Sequence, residues 1–403
     1  MACLVLAIVA LGRPVLALTA SPSRSADLPY GITITGVQFT RTAPGPGGAS
    51  TAPADFRNLG VAWARVQIHM SELFPTNPAS LDPSVVGNYN WSLLDQALLA
   101  AQSVSQLVDY PLQGVPNLSY NGHAFQNSCG DPTTYVLNAY VAALMSHLRN
   151  DLFVQHPEAQ GTLRAIEIGN EDWSFSPNGQ PCENRPKVYA RVVESVAPSI
   201  RNLGAFMTPP PLIGTMGYTN FGKVDDSTPA HSVKAFWNGF YGFRANPKDR
   251  GPAPLIDFAN FHYYHDNVSP DIAIAPKDPT HPTHPHGQDT FKTVYQAIQT
   301  AGADSLNHDG QPMPIWVTET GWTLSGCNQN ASFIVTPSQQ SSYEQAMLEE
   351  SRLSKRAISH LFLYTADSYS SSCGYNGMDI SNDGFWEPAA AMLNGFIKSY
   401  PTW

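Results

Sequence analysis

Eight times along this chain, a short apolar, β-branched run gives way to a segment with helical spacing. This alternation narrows the fold more than any other feature of the sequence. The runs cover residues 31–39, 61–70, 106–114, 164–171, 212–216, 256–264, 314–320 and 358–365. The helical segments fall near 54–59, 91–105, 134–150, 187–199, 232–243, 291–301, 341–356 and 388–399. A helix after every strand makes successive strands parallel, and eight such units are the number at which a parallel sheet closes on itself. The predicted class is α/β, a (β/α)8 TIM barrel built as a single domain over residues 27–403. The segments that follow strands (114–133, 172–186, 265–290, 322–340 and 367–387) are longer than most that precede them. Strand exits are where a barrel carries its chemistry, so these loops point to the functional face.

Composition bounds the partners. With 17 Tyr, 18 Phe and 8 Trp but only 13% charged residues, the chain has the material for a large core. A net charge of −10 without a Lys/Arg cluster argues against nucleic acid as a partner. The apolar run at residues 1–11 has the size of a signal-peptide core and is too short to span a bilayer. Residues 1–26 are therefore expected to be a signal peptide and short leader, and the remainder a secreted, extracellular monomer without a membrane span. Beyond the leader stand Cys129, Cys182, Cys327 and Cys373, each in a polar, turn-rich context that favours disulfides over buried thiols. Four cysteines allow three pairings. Cys129–Cys182 with Cys327–Cys373 is favoured, because each pair would join adjacent loops on one face.

Two of the strand-like runs end in carboxylates: Glu167-Ile168-Gly169-Asn170-Glu171 and Thr318-Glu319-Thr320-Gly321-Trp322. An acid at the end of a buried strand is costly to desolvate unless it is paired or used. Two of them at one end of a barrel suggest a pair of catalytic acids. With Asn170-Glu171 on the fourth strand and Glu319 on the seventh, the chain resembles the retaining glycoside hydrolases of clan A. That resemblance implies Glu171 as acid/base and Glu319 as nucleophile. Glu319 would attack the anomeric carbon as an anion while Glu171 holds the proton for the leaving oxygen, with the carboxyls about 5–5.5 Å apart. The Glu167–Glu171 stretch with Arg65 upstream resembles families 39, 51 and 79, whereas Glu319-Thr320-Gly321-Trp322 resembles the β-1,3-glucanases of family 17. Asp172 stands where family 39 commonly has Pro. No stretch reads as the extra β-sandwich usual in families 51 and 79, so a family-39-like chain is expected.

The remaining candidates surround that pair. Asn170 is placed to hydrogen-bond a sugar 2-hydroxyl, and Arg65, grouped with it among the substrate-binding candidates, to hold Glu319 ionised. His262 and Tyr264 share one strand face, and either could donate to Glu319. Glu167 shares their network as a buried member. Trp173, Trp322 and Trp386 follow strands four, seven and eight and are candidate platforms for sugar rings. Clustered histidines at 281, 284 and 286 lie in a Pro-rich loop without ligand spacing, and the acidic stretch at 379–384 lacks the bidentate Glu of a calcium loop. No metal and no cofactor is expected. The expected partner is an oligo- or polysaccharide. The expected activity is retaining hydrolysis of O-glycosidic bonds, with a transglycosylase or a non-catalytic carbohydrate-binding barrel as alternatives.

Overall fold

The computed structural model describes residues 28–40, 42–45, 48–74, 81–171, 185–220, 224–225, 232–244, 250–265, 267–274, 287–324, 334–354, 357–364 and 388–402. The leader, Trp173, Trp386, Cys182, Cys327, Cys373, the clustered histidines and the acidic stretch at 379–384 lie outside them.

Eight parallel strands form the barrel: β1 (Tyr30–Thr35), β2 (Trp63–Gln67), β3 (Leu107–Pro111), β4 (Leu163–Glu167), β5 (Leu212–Gly214), β6 (Ala259–Tyr263), β7 (Ile315–Thr320) and β8 (Ile358–Tyr364). They pair in sequence order from β1 to β5, and β8 pairs with both β7 and β1. The fifth position is interrupted. Leu212–Gly214 pairs with β4, the chain leaves the ladder over residues 215–217, and Tyr218–Asn220 rejoins it against β6. A single bridge between Gly214 and Phe258 joins the first part to the sixth position and closes the ring.

The surrounding helices are α1 (Ala52–Leu59), α2 (Ser92–Ser103), α3 (Thr134–His147), α4 (Arg185–Arg201), α5 (Val233–Tyr241), α6 (Phe291–Ala301), α7 (Pro337–Leu353) and α8 (Pro388–Ser399). Each buries one stripe, as Leu94, Ala97, Leu98 and Ala101 do on α2. Four of them begin on a hydroxyl. The side chains of Thr133, Ser232, Thr290 and Thr336 accept from the backbone N–H three residues on, each stabilising a helix start by about 1 kcal/mol. None of the described helices is long and apolar enough to cross a membrane.

Most strands stop short of the apolar runs that announce them. After β1, residues Gly36–Thr40 coil into a helical turn rather than extending to Phe39. Thr35 and Gln38 cap that turn reciprocally: each side chain accepts from the other's backbone N–H at 3.4 Å. β4 ends at Glu167 rather than at Glu171, because Gly169 at φ +95° turns the chain out of the ladder.

The barrel interior is layered. Trp63, Ala165, Phe258, Trp316 and Phe362 plug its strand-start end, with Trp316 stacked on Phe258 at 3.8 Å between ring centroids. Gly31 makes room for this plug, since a Cβ there would lie 2.2 Å from the Phe362 ring. Above the plug the inward positions turn polar: Thr33, Arg65, Asp109, Glu167, Asn260 and Thr318 are all fully buried. Thr33 Oγ1 donates to the Thr318 carbonyl at 2.5 Å, and Asn260 Nδ2 donates to Thr318 Oγ1 at 3.1 Å. This polar layer is the floor of the strand-exit cavity.

Candidate active site

Strand alternation places Trp63, Arg65 and Gln67 of β2 on one inward-facing row. Arg65 is the centre of the floor. Its Nε and Nη2 donate to the two oxygens of Glu167 at 2.9 and 2.6 Å, a bidentate pair. Nη2 also donates to Asn170 Oδ1 at 2.7 Å, and Nη1 to Glu319 Oε1 at 2.6 Å. Burial works against the Arg65 charge, but Glu167 and Glu319 outweigh it and raise its pKa. Asp109 stands 4.0 Å from Arg65 Nε. Burial first, and then the charge of Glu167, push its carboxyl well above the usual carboxylate range. That shift favours the neutral acid, which limits the negative charge packed around one guanidinium.

Glu319 comes into this cluster through a defect in the ladder. Phe261 pairs with Val317 but His262 pairs with Glu319, so the register slips by one residue at Thr318. The bulge lets both Thr318 and Glu319 face inward, where strict alternation would have sent Glu319 outward with Val317. Thr320, back in outward phase, donates from Oγ1 to Met347 Sδ on α7 at 3.0 Å. The Glu319 carboxylate is only 5% exposed and accepts from Arg65, from the Gln67 amide and, at Oε2, from Tyr264 OH at 2.5 Å. Burial first, and then Glu319, hold the Tyr264 phenol well above its ordinary pKa, so it remains a donor.

Glu171 lies four residues beyond β4 and faces Glu319 from across the barrel mouth. Its side chain is 38% exposed, and its Oε1 lies 2.7 Å from His262 Nδ1. The same nitrogen is 3.5 Å from Glu319 Oε2. His262 is fully buried and its Nε2 has no hydrogen-bond partner among the described residues, which puts the ring proton on Nδ1, donating to Glu171. One oxygen from each Glu and Nδ1 of His262 lie within 4.8 Å of one another. These three residues have the spacing of a metal site. However, Nδ1 is committed to Glu171, and both Glu319 oxygens accept from protein donors. A second such trio, Asp257, His308 and Asp309, lies at the strand-start side, where Asp257 Oδ2 already takes Arg201 Nη2 at 2.7 Å and the Ile213 N–H at 2.6 Å.

Glu171, Glu319, Asn170 and Tyr264 form one part of a cavity of about 240 Å³. Gln67, His69, Gln113 and Tyr364 complete it. This is below the roughly 300–1,000 Å³ of sites for drug-sized molecules and suits a single sugar ring.

Of the residues anticipated from sequence, the structure brings Arg65, Glu167, Asn170, Glu171, His262, Tyr264 and Glu319 together. Two expectations change. Arg65 lies beneath the cavity, with its guanidinium spent on side chains, so it organises carboxylates instead of touching substrate. Trp322 is no platform: it is 2% exposed within the core, edge-on to Tyr343 at 5.4 Å, and its carbonyl accepts from Gln340 Nε2 at 2.8 Å. The chain turns after Thr320, and the indole packs against α7. Cys129 lies on the loop after β3, whereas the residues it was paired with lie outside the described residues. Gln67, His69, Gln113 and Tyr364 had escaped notice. Gln67 was readable from its parity with Arg65, and Tyr364 from its place at the end of the eighth run.

No family model and no curated protein sequence matches the chain. Solved structures do. A family 39 glycoside hydrolase from the gut symbiont Bacteroides cellulosilyticus aligns over 93% of this chain and 64% of its own, at 15% identity and a TM-score of 0.58. The chain thus spans somewhat under two thirds of that protein. Fungal β-1,4-galactanases align over 91% of this chain and 99% of theirs, at 17% identity and a TM-score of 0.58. The endo-1,4-β-D-mannanase of Thermotoga petrophila aligns over 92% of this chain and 99% of its own, at 13% identity and a TM-score of 0.55. The chain has the (β/α)8 barrel fold. At these identities the likeness is one of fold, and the chemistry rests on the side chains at the strand exits.

Proposed function

We propose that this protein is a retaining glycoside hydrolase that cleaves O-glycosidic bonds of a cell-wall or extracellular polysaccharide by double displacement. The observation that carries the reading is the pair Glu171 and Glu319, with oxygens within 4.8 Å of each other in unlike surroundings. Carboxyl oxygens no more than 4.8 Å apart leave no room for a water between substrate and carboxylate, which is the arrangement for direct attack by the enzyme. Glu319, held by a guanidinium, an amide and a phenol, is the anion and attacks the anomeric carbon. The glycosidic C–O bond breaks as Glu171, more exposed and beside His262, delivers its proton to the leaving oxygen. Glu171, now an anion, takes a proton from water, whose oxygen displaces Glu319 and regenerates both groups. Asn170, its Oδ1 fixed by Arg65, aims its amide at the cavity, where a sugar hydroxyl would bind.

The glycoside hydrolase, galactanase and mannanase named among the structural neighbours support this class of substrate. The apolar leader supports secretion, and with it disulfides Cys129–Cys182 and Cys327–Cys373. For the first pair, Arg185, three residues past Cys182 in sequence, donates to the Cys129 carbonyl at 3.3 Å and to Asp131 at 2.9 Å, which ties the start of α4 to the loop after β3.

The test is hydrolysis of β-glucan, xylan, arabinan, galactan, mannan and aryl glycosides, with product anomers followed by NMR. Cleavage with retention is expected. Inversion would overturn the double displacement, and a folded protein that cleaves none of them would overturn the hydrolase reading.

A further inference from the structure

We propose that Gln113 is a substrate-contacting residue that selects a neutral sugar, and that the cavity excludes uronic acids. The inference rests on the hydrolase reading and names its glycone. Gln113 follows β3, is 4% exposed and lines the cavity, yet its Nε2 has no hydrogen-bond partner among the described residues. A buried amide donor left unmade costs about 1–3 kcal/mol, so such a group facing a cavity marks where a ligand oxygen belongs.

The backbone that carries this amide is also held in place. The Gln113 carbonyl accepts from Met70 N at 2.9 Å, and the Gly114 carbonyl from Ser71 N at 3.0 Å, clipping the exits of β2 and β3 together. Gly114 has φ +65°, and a Cβ there would lie 2.4 Å from His69, so the His69 side chain rests on bare backbone. Below, Glu72 accepts from the His69 backbone N–H at 2.6 Å. A clipped backbone and a buried side chain leave less entropy to lose on binding, which is how a site turns one hydrogen bond into discrimination.

Charge decides the class of sugar. None of the eight described residues lining the cavity is Lys or Arg, and two are Glu171 and Glu319. The guanidinium beneath, Arg65, already serves Glu167, Asn170 and Glu319. A uronate carboxylate would enter next to two acids with no Lys or Arg among the described lining residues to meet it, whereas a hydroxyl meets the Gln113 amide.

The experiment measures kcat/KM of the full chain on aryl xylosides, glucosides, galactosides, mannosides, arabinofuranosides and glucuronides, and on singly deoxygenated analogues of the best substrate. Wild type, Gln113→Met and Gln113→Glu are compared, the latter two keeping the backbone clip. A neutral glycoside should exceed the glucuronide by at least about 100-fold. Gln113→Met should lose about 10- to 100-fold on the parent and under about 3-fold on one deoxy analogue, the one lacking its hydroxyl. Glucuronide turned over as well as the neutral glycosides, or a Gln113→Met loss equal on every analogue, overturns the proposal. If the variants fail to fold, the wild-type deoxy series decides, a flat series counting against it. Calorimetry with neutral and carboxylated iminosugars reads the same preference without turnover. Neutral binding that weakens in Gln113→Met supports the proposal even where hydrolysis fails. Hydrolysis without any effect of Gln113 overturns the proposal alone, and neither binding nor hydrolysis overturns both readings.

Discussion

Glu319 has exchanged water for a guanidinium and an amide, both from β2, and a phenol from the exit of β6. In the proposed double displacement such donors cost no reorganisation when charge leaves the carboxylate for the glycosyl bond, which is the physical content of preorganisation. Glu319→Ala should lower kcat by on the order of 10⁵-fold. Azide should restore turnover and give a product of inverted anomeric configuration; restoration at another acid but not here would reassign the nucleophile. Glu171→Ala should cost about 10²–10⁴-fold on substrates with poor leaving groups and far less on activated aryl glycosides. Equal losses on both, measured as kcat/KM, would remove it from the acid role. Tyr264→Phe keeps the ring and deletes one donor to Glu319, so it should cost about 10²-fold in kcat with KM little changed. A change confined to KM would mean that the phenol serves binding instead.

At the scale of strands and turns, the site depends on places where the ladder breaks. Gly217, in the gap of the fifth position, lies so close to His262 that a Cβ would come within 1.8 Å of Nε2. Gly217→Ala should push the imidazole off Glu171 and lower kcat by about 10²-fold, read on a poor leaving group with circular dichroism confirming the fold. The alternation of runs and helical segments made the barrel, the order of its units and both acid motifs legible in the sequence. It did not show how Glu319 faces inward, because parity counting puts it outside with Val317, and only the register slip at Thr318 reverses that. Nor could it end β4 at Glu167: Ile168 continues the apolar run, and the turn depends on the left-handed φ that Gly169 adopts. Trp322 misled for a related reason. Adjacency to a catalytic segment says nothing about which side of the sheet an indole takes once the strand has turned. The Gln113 amide was invisible because its meaning lies in a missing partner, and a missing partner exists only in three dimensions.

The molecule as a whole buries more acid than its mechanism uses. Glu344, on the inner stripe of α7 with Gln340, Met347, Leu348 and Ser351, is fully buried with no partner for either oxygen among the described residues. Burial raises its pKa well above the ordinary value of 4.5, so the folded protein keeps it protonated where the unfolded chain has lost the proton. The folded state then binds more protons, and stability is fully present below about pH 4.5 and declines as pH rises through the folded pKa. Glu344→Gln removes the titration. Its melting temperature should match wild type at acid pH and exceed it at pH 8, by roughly 1 °C for each kcal/mol recovered. A gap that does not change with pH would assign the effect to packing. The barrel wall is also uneven. Between β1 and β2 five residue pairs run in unbroken register, whereas Leu212–Gly214 reaches the sixth position by one bridge before the chain leaves the sheet. Local opening of a closed ring starts at its thinnest seam. The amides of Asp257, Phe258 and Thr215, which stitch that seam, should therefore exchange with deuterium before those of β1 and β2. The seam runs past Gly217 to His262, so the side of the barrel expected to breathe first is the side that holds Glu171.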